Sequence, residues 1–308
     1  MKRDLRKNEV GLRSFYGSKS LDRRLGPAPI IANSMFIWGA IVMNSAFGLT
    51  GKVALVTGGG SGLGRAISEA LLAAGAARVY IASRKIDSLE EAAAQLAPDG
   101  RCIPVAADLS TVEGCEALAA SIKERESVLH ILVNNSGGAW AAPFGAYPAK
   151  GWDRVFDLNL RSPFFLIQAL LEPMAAAGAE EDPARVINIG SIAGEISNGS
   201  GTFAYGLSKG ALHHATRMLA LELGPRHVTV NTIAPGRFGT KMTASVQADQ
   251  ERFERERKMI PLRRWGYDQD VGGIAVFLAA RAGAYVTGAT IVADGGLSLC
   301  HPLALAGD

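Results

Sequence analysis

Val53-Ala-Leu-Val-Thr57-Gly58-Gly-Gly-Ser61-Gly62-Leu63-Gly64-Arg-Ala-Ile67 is an apolar run that ends in glycines and continues as a helix-patterned segment through Gly75. An apolar run bounded in this way reads as a buried strand. Glycines at such a turn permit positive φ and let backbone N–H groups approach a phosphate at the positive end of the following helix. Strand, glycine turn and helix in this order predict the first unit of a nucleotide-binding α/β fold. The strict Gly-x-Gly-x-x-Gly spacing is absent, because after Gly58 and Gly60 position 63 is leucine. What stands instead is Thr57-Gly58-x-x-x-Gly62-x-Gly64.

Outward from this turn, strands are expected near 53, 79, 103, 130, 186, 228 and 290. Helix-patterned stretches fall near 62–75, 86–97, 111–125, 150–177, 204–223 and 268–281. This alternation predicts one doubly wound parallel sheet, a Rossmann-type α/β domain over 47–308. With 308 residues, 48% of them hydrophobic, the chain buries a large core without staples.

Tyr205-Gly-Leu-Ser-Lys209 lies 14 positions after Ser191. On a helix Tyr205 and Lys209 stand at i and i+4 and share a face. A phenol ionises near ~10 and is a poor acid or base at neutral pH. A neighbouring ammonium, joined by the positive ring of an oxidised nicotinamide, favours phenolate and is expected to pull the Tyr205 pKa into the working range. Ser191 follows Arg185-Val-Ile-Asn-Ile-Gly190, which reads as a buried parallel strand, so its hydroxyl emerges at the carboxyl end where open α/β sheets bind ligands.

With Asn134-Asn135-Ser136-Gly137, Asn159 and Pro235-Gly236, these residues resemble the short-chain dehydrogenase/reductase family over residues 47 to 297. The stretch from Arg185 to Phe238 looks most like the 3-oxoacyl reductases, of the rhamnolipid type. The resemblance implies that Ser191 polarises the substrate carbonyl and Tyr205 exchanges its proton. Lys209 lowers the Tyr205 pKa and holds the nicotinamide ribose, and Asn159 keeps a water in the proton relay. It further implies that Gly58, Ser61, Gly62, Leu63 and Gly64 line the cofactor phosphates. Asp108 and Leu109 reach the adenine, Asn134 stabilises the central sheet, and Asn135, Pro235 and Gly236 border the cofactor. Ser136 departs from the alanine usual in the family.

Arg78-Val-Tyr-Ile-Ala-Ser83-Arg84-Lys85 ends the second strand, 20 residues after Gly64, where an NAD(H) site offers a carboxylate to the ribose. No acid stands at 82–86. Ser83 and Arg84 instead suit a 2′-phosphate, which favours NADP(H) over NAD(H). A basic residue just before Gly62, carried by some NADP members of the family, is replaced by Ser61. Substrate contacts are expected from Gly138–Tyr147 and from the insertion between Gly236 and Trp265, where Phe238, Met242, Phe253 and Met259 could form an apolar lid or pack in the core. The alternating charges of Glu251 to Lys258 read as a solvated helix face.

The reading is an NADPH-dependent reductase acting on a small-molecule ketone, a 3-oxoacyl thioester or similar carbonyl. The alternatives are an NAD-dependent polyol, sugar or secondary-alcohol dehydrogenase and a non-catalytic dinucleotide-binding scaffold. Residues 1–27 carry eight basic and three acidic side chains, a net +5 against +3 for the whole chain, so residues 28–308 sum to −2. The basic balance belongs to the extension, and no nucleic-acid partner is expected. Gly26 to Gly51 is uncharged and apolar in its middle. The segment 1–46 therefore stands open as an over-long start foreign to the fold, a targeting segment or a membrane anchor. Cys102, Cys115 and Cys300 give no paired framework and suit a reducing, cytoplasmic setting. The five histidines lack ligand spacing, and no metal is expected. His213-His214 is expected at a helix–helix contact. The resemblance implies a homodimer or homotetramer formed through the Tyr205 helix and the long helix before it, with Gly206 and Gly210 permitting close approach.

Overall fold

Among the described residues seven strands form: β1 (Val53–Thr57), β2 (Arg78–Ser83), β3 (Cys102–Ala106), β4 (Ile131–Asn134), β5 (Ala184–Ile189), β6 (Val228–Pro235) and β7 (Thr290–Ala293). They pair in the order β3-β2-β1-β4-β5-β6-β7, every pair parallel. The computed structural model describes residues 46–197 and 201–300, so residues 1–45 of the expected extension and His301 lie outside the described residues. Among the described residues no helix is long and apolar enough to cross a membrane.

Helices α1 (Gly62–Ala73), α2 (Ile86–Leu96) and α3 (Val112–Arg125) join the first four strands. Helices α4 (Ala149–Phe156) and α5 (Ser162–Ala177) precede β5, and α6 (Phe203–Leu223) precedes β6. Between β6 and β7 run α7 (Ala244–Ala248), α8 (Gln250–Met259) and α9 (Asp268–Ala279). Helices on both faces explain why β1, β4, β5 and β6 are buried along their whole length, the polar side chains within β5 and β6 included. The pleat splits β1 between two cores. Ala54 and Val56 join one cluster with α1 and α9, while Val53 and Leu55 join the other with α3 and α5. Gly272 lets α9 approach α1, since a Cβ there would stand 2.8 Å from the Ala70 Cβ.

A chain of buried polar groups crosses the second half of the sheet. Asn134 Nδ2 donates to Asn188 Oδ1 at 2.9 Å, and Asn188 Nδ2 donates to Thr216 Oγ1 at 2.9 Å. Thr216 and Thr232 share a 2.8 Å hydroxyl pair. The links tie β4, β5, α6 and β6 in one register, since breaking any of them strands a buried polar group. Asn134 thus supports the central sheet, as the resemblance implied.

The helix expected over 150–177 is two helices separated by a π turn, Asp157–Arg161. The cause is legible in Pro163. Proline has no N–H to return to the carbonyl four residues back, which is that of Asn159, and its ring crowds that carbonyl. A widened turn relieves both problems and places Asn159, fully buried, against the loop after β4.

The insertion after β6 packs on a small core of Val246, Ile260 and Trp265, with Phe253 4.9 Å from the Trp265 ring. Phe238 joins the main core. Phe253 therefore serves packing, Phe238 packs in the core and also lines the ligand-side cleft as Met242 does, and Met259 is exposed. Helix α8 buries no residue and carries ion pairs such as Arg257–Glu254 at 2.7 Å, the solvated face expected of its charge pattern.

Candidate active site

Strand order reverses between β1 and β4, and the carboxyl ends of β1, β2, β3, β4, β5 and β6 open there into a cleft of about 500 Å³. Gly58 at φ +66° and Gly62 at φ +53° shape its floor. Both conformations are ones that side chains with a Cβ resist. Gly58, Ser61, Gly62, Leu63, Ser83, Arg84, Asp108, Leu109, Asn135, Ser191, Tyr205, Lys209, Pro235 and Gly236 all line the cleft. Sequence reasoning thus brought together fourteen residues from six strand ends and helix starts.

Two expected site residues stand behind the lining. Gly64 was expected against the phosphates, but its bare α-carbon faces the Gly58 carbonyl and the Asn135 amide, with Gly58 C 2.8 Å from where a Cβ would be. Its role is to let the turn close on the helix. Asn159 Nδ2 donates to Gly138 O and to Ser208 Oγ, each at 3.0 Å, and Asn159 Oδ1 accepts from Gly138 N at 2.8 Å. It pins the loop after β4 to α6. Asn135 is similarly committed, with Nδ2 donating to Thr57 O at 2.8 Å and N to Thr57 Oγ1 at 2.9 Å.

The cleft fits a dinucleotide on three observations. Glycine backbone forms the floor at the start of α1, whose Ser61 cap position makes no side-chain cap bond. Ser83 and the exposed Arg84 border the far end. Asp108 stands beside them, its carboxyl held below the usual range chiefly by hydrogen bonds from Ser110 and also by the Arg84 charge.

At the near end Ser191 and Tyr205 meet. Tyr205 is half-buried, and desolvation pushes its phenol up from the ordinary value, while the hydrogen bond with Ser191 and the charge of Arg237 pull it down. In the free chain the Tyr205 phenol therefore lies above its ordinary value; the downward pull of Lys209 joined by an oxidised nicotinamide is an expectation for the cofactor-bound chain. Lys209 Nζ donates to Ile189 O at 2.6 Å and stands 5.8 Å from the Tyr205 ring centroid. Lys209 is itself buried, and desolvation depresses its ammonium to about 8. At neutral pH it is still mostly charged, and low dielectric strengthens the field of a buried cation.

Ser191 Oγ accepts from Ala193 N at 3.1 Å, which leaves the hydroxyl proton to be donated forward. His213, expected at a helix–helix contact, lies instead beneath this turn. Its Nδ1 is 2.7 Å from Glu195 Oε1, and its Nε2 is 3.4 Å from Ser191 N. Gly206 and Gly210 were expected to admit a partner helix, yet Cβ atoms there would stand 3.1 Å from Ala193 O and 3.4 Å from Gly194 O. Their smallness seats the Ser191 turn on α6 within the chain.

Sequence reasoning missed Arg154, Thr240, Lys241 and Thr243, all in the lining, and the field of Arg237. The available signal for the last four was their place just after β6, where ligand-side loops begin.

A family model described as enoyl-(acyl carrier protein) reductase matches residues 58–298. The chain is 45% identical over 257 residues to the rhamnolipids biosynthesis 3-oxoacyl-(acyl-carrier-protein) reductase of Pseudomonas aeruginosa, which covers 83% of this chain and 100% of that one. It is 36% identical over 256 residues to the 2-dehydro-3-deoxy-D-gluconate 5-dehydrogenase of Dickeya dadantii, covering 83% and 98%. Among solved structures, the Pseudomonas aeruginosa RhlG/NADP active-site complex matches with a TM-score of 0.80 at 44% identity, over 82% of this chain and 99% of that one. A gluconate 5-dehydrogenase from Burkholderia cenocepacia in complex with NADP and tartrate matches with a TM-score of 0.78 at 29% identity, over 84% and 100%.

Proposed function

The chain belongs to the short-chain dehydrogenase/reductase family, and from that membership we propose that it is an NADPH-dependent reductase of 3-oxoacyl thioesters or similar hydrophobic ketones. The observation that carries the chemistry is the convergence of Ser191, Tyr205 and Lys209 on one cleft whose other end offers Ser83 and Arg84. The 45% identical relative named as a 3-oxoacyl reductase supports the substrate class, and the match to an NADP complex supports the cofactor.

Bound in the cleft, the reduced dinucleotide supplies hydride to the carbonyl carbon. The residues of the chain do the rest. Ser191 donates its hydroxyl proton as a hydrogen bond to the carbonyl oxygen, where negative charge develops. Tyr205, its pKa raised by burial in the free chain, is protonated at neutral pH and delivers its proton to that oxygen as general acid. Lys209 holds the end of β5 through Ile189 O and lies within reach of a ribose at the cleft floor. Asn159 fixes the Gly138 loop that walls the cleft, and its part in a water relay belongs to the same proposal.

Oligomerisation is included in the reading, as homodimer or homotetramer. Leu207, Met218 and Leu221 on α6 and Phe164 on α5 are exposed apolar side chains of the kind a helix-to-helix interface covers. The unpaired thiols Cys102, Cys115 and Cys300 support a cytoplasmic setting. We place residues 1–46 outside the enzyme domain, supported by the full cover of the 45% identical relative by 83% of this chain.

The test is turnover by the purified chain with NADPH on a panel of 3-oxoacyl thioesters, sugars and cyclic ketones. Tyr205→Phe is expected to bind NADPH as the wild type does and to lose turnover by at least about a hundredfold. Oxidation of a sugar acid with NAD, and none of the ketones, would transfer the chain to the branch of its gluconate-dehydrogenase relatives.

A further inference from the structure

Lys209 and His213 stand one turn apart on α6 and grip opposite sides of one residue. Lys209 Nζ donates to Ile189 O, the carbonyl before Gly190, and His213 Nε2 faces Ser191 N, the amide after it. The fit is close on the third side too. A Cβ on Gly190 would stand 2.8 Å from His213 Cδ2 and nearer still to Nε2, and one on Gly194 would stand 2.9 Å from His213 Cε1. The turn that presents Ser191 is therefore moulded around an imidazole. His213 is 2% exposed, and its other nitrogen meets Glu195 Oε1 at 2.7 Å.

The hydrogen-bond network assigns the tautomer. Ser191 N–H can only donate, so Nε2 accepts, and Nδ1 carries the proton toward Glu195. The catalytic hydroxyl is thus held at two points: Ser191 N by His213, and Ser191 Oγ by Ala193 N. We propose that His213, hydrogen-bonded to Glu195, is the positioning residue that fixes the Ser191 turn in the geometry for carbonyl polarisation. The inference rests on the reductase reading and adds to it a residue that touches neither substrate nor cofactor.

It follows that the arrangement tolerates only neutral His213. A protonated ring would set an Nε2–H against the Ser191 N–H, two donors facing each other, and the turn would have to open. Burial opposes that protonation most strongly, Glu195 favours it, and the charges of Lys209 and Arg217 oppose it. The net direction is downward from the ordinary 6.5, so the acidic limb of activity is expected below that value.

Steady-state kinetics with NADPH and acetoacetyl coenzyme A, from about pH 5 to about pH 8, tests the inference. His213→Leu removes the acceptor and is expected to lower kcat roughly tenfold or more at neutral pH, with NADPH affinity unchanged. His213→Gln, whose amide oxygen can accept from Ser191 N and whose amide nitrogen can donate to Glu195, is expected to recover most of that loss and to abolish the acidic limb. Glu195→Gln is expected to move the limb to lower pH, because the charge that favours protonation is gone. If the leucine variant does not fold, the other two decide. Wild-type kcat in His213→Leu, or an unaltered acidic limb in His213→Gln, overturns the inference alone. No turnover by the wild type on any carbonyl overturns it together with the reductase reading.

Discussion

Replacing Gly64 with alanine probes the cofactor floor without substituting a residue that lines the cleft. The added Cβ would stand 2.8 Å from the Gly58 carbonyl carbon and closer to its oxygen, whereas ordinary contact begins at 3.4 Å. Neither neighbour can step aside cheaply, because Gly58 is backbone at φ +66° with its N–H bonded to Ala82 O at 2.7 Å. The Asn135 amide that also crowds the site is tied to Thr57 O at 2.8 Å. The turn must lift from α1 by roughly half an ångström or more, a strain typical of overpacking at about 1–3 kcal/mol. Because Gly58 and Gly62 form the cleft floor, most of that strain is expected in cofactor binding. A loss of about 2 kcal/mol is roughly thirtyfold in Kd. Fluorescence titration of NADPH measures it, with far-ultraviolet circular dichroism to verify the fold. A correctly folded variant that binds NADPH within about twofold of wild type would refute the account of Gly64 as the close-approach residue.

Arg84→Asp is expected to weaken NADPH by about 2 kcal/mol, roughly thirtyfold, and to turn the preference toward NADH; an unchanged ratio of the two affinities removes Arg84 as the phosphate reader. Lys209→Met is expected to abolish turnover while stabilising the free chain at neutral pH. The depression of the ammonium from 10.5 to about 8 corresponds to a burial penalty of about 3 kcal/mol, offset by about 1 kcal/mol for the lost bond to Ile189 O. Between those two values the unfolded chain holds a proton that the native chain has shed, so wild-type stability rises with pH through that window and the advantage of methionine shrinks. Urea titrations at neutral pH and above the window check this, and parallel curves for the two proteins would sink it.

The central strands were legible because burial on both faces makes them rich in apolar and β-branched residues, and the first βα turn because glycines mark it. Tyr205 and Lys209 were legible through their i, i+4 spacing. The π turn was not, since apolar periodicity continues from Ala149 to Ala177 and only Pro163 hints at the widened turn. Nor was the duty of His213, whose contact with Ser191 spans 22 residues of chain, or that of Gly206 and Gly210, which look the same in sequence whether they face a neighbouring turn or a second molecule. The upward direction of the Tyr205 shift in the free chain was not legible for a related reason. Spacing reveals which groups are neighbours, but not how far each is dehydrated.

The reversal of strand order at β1 also sets a hazard during synthesis. β1 finds β2 within a short stretch of chain, but its opposite edge is matched only by β4, which begins at Ile131. At about 5–20 residues per second, a ribosome needs roughly 2–10 s to travel from the end of β2 to that point. For that interval the nascent polypeptide displays the open edge of a strand that is buried along its length in the finished fold, a template for mispairing with another copy. The feature that creates the catalytic crevice in the finished enzyme is thus the place where newborn chains most need shielding.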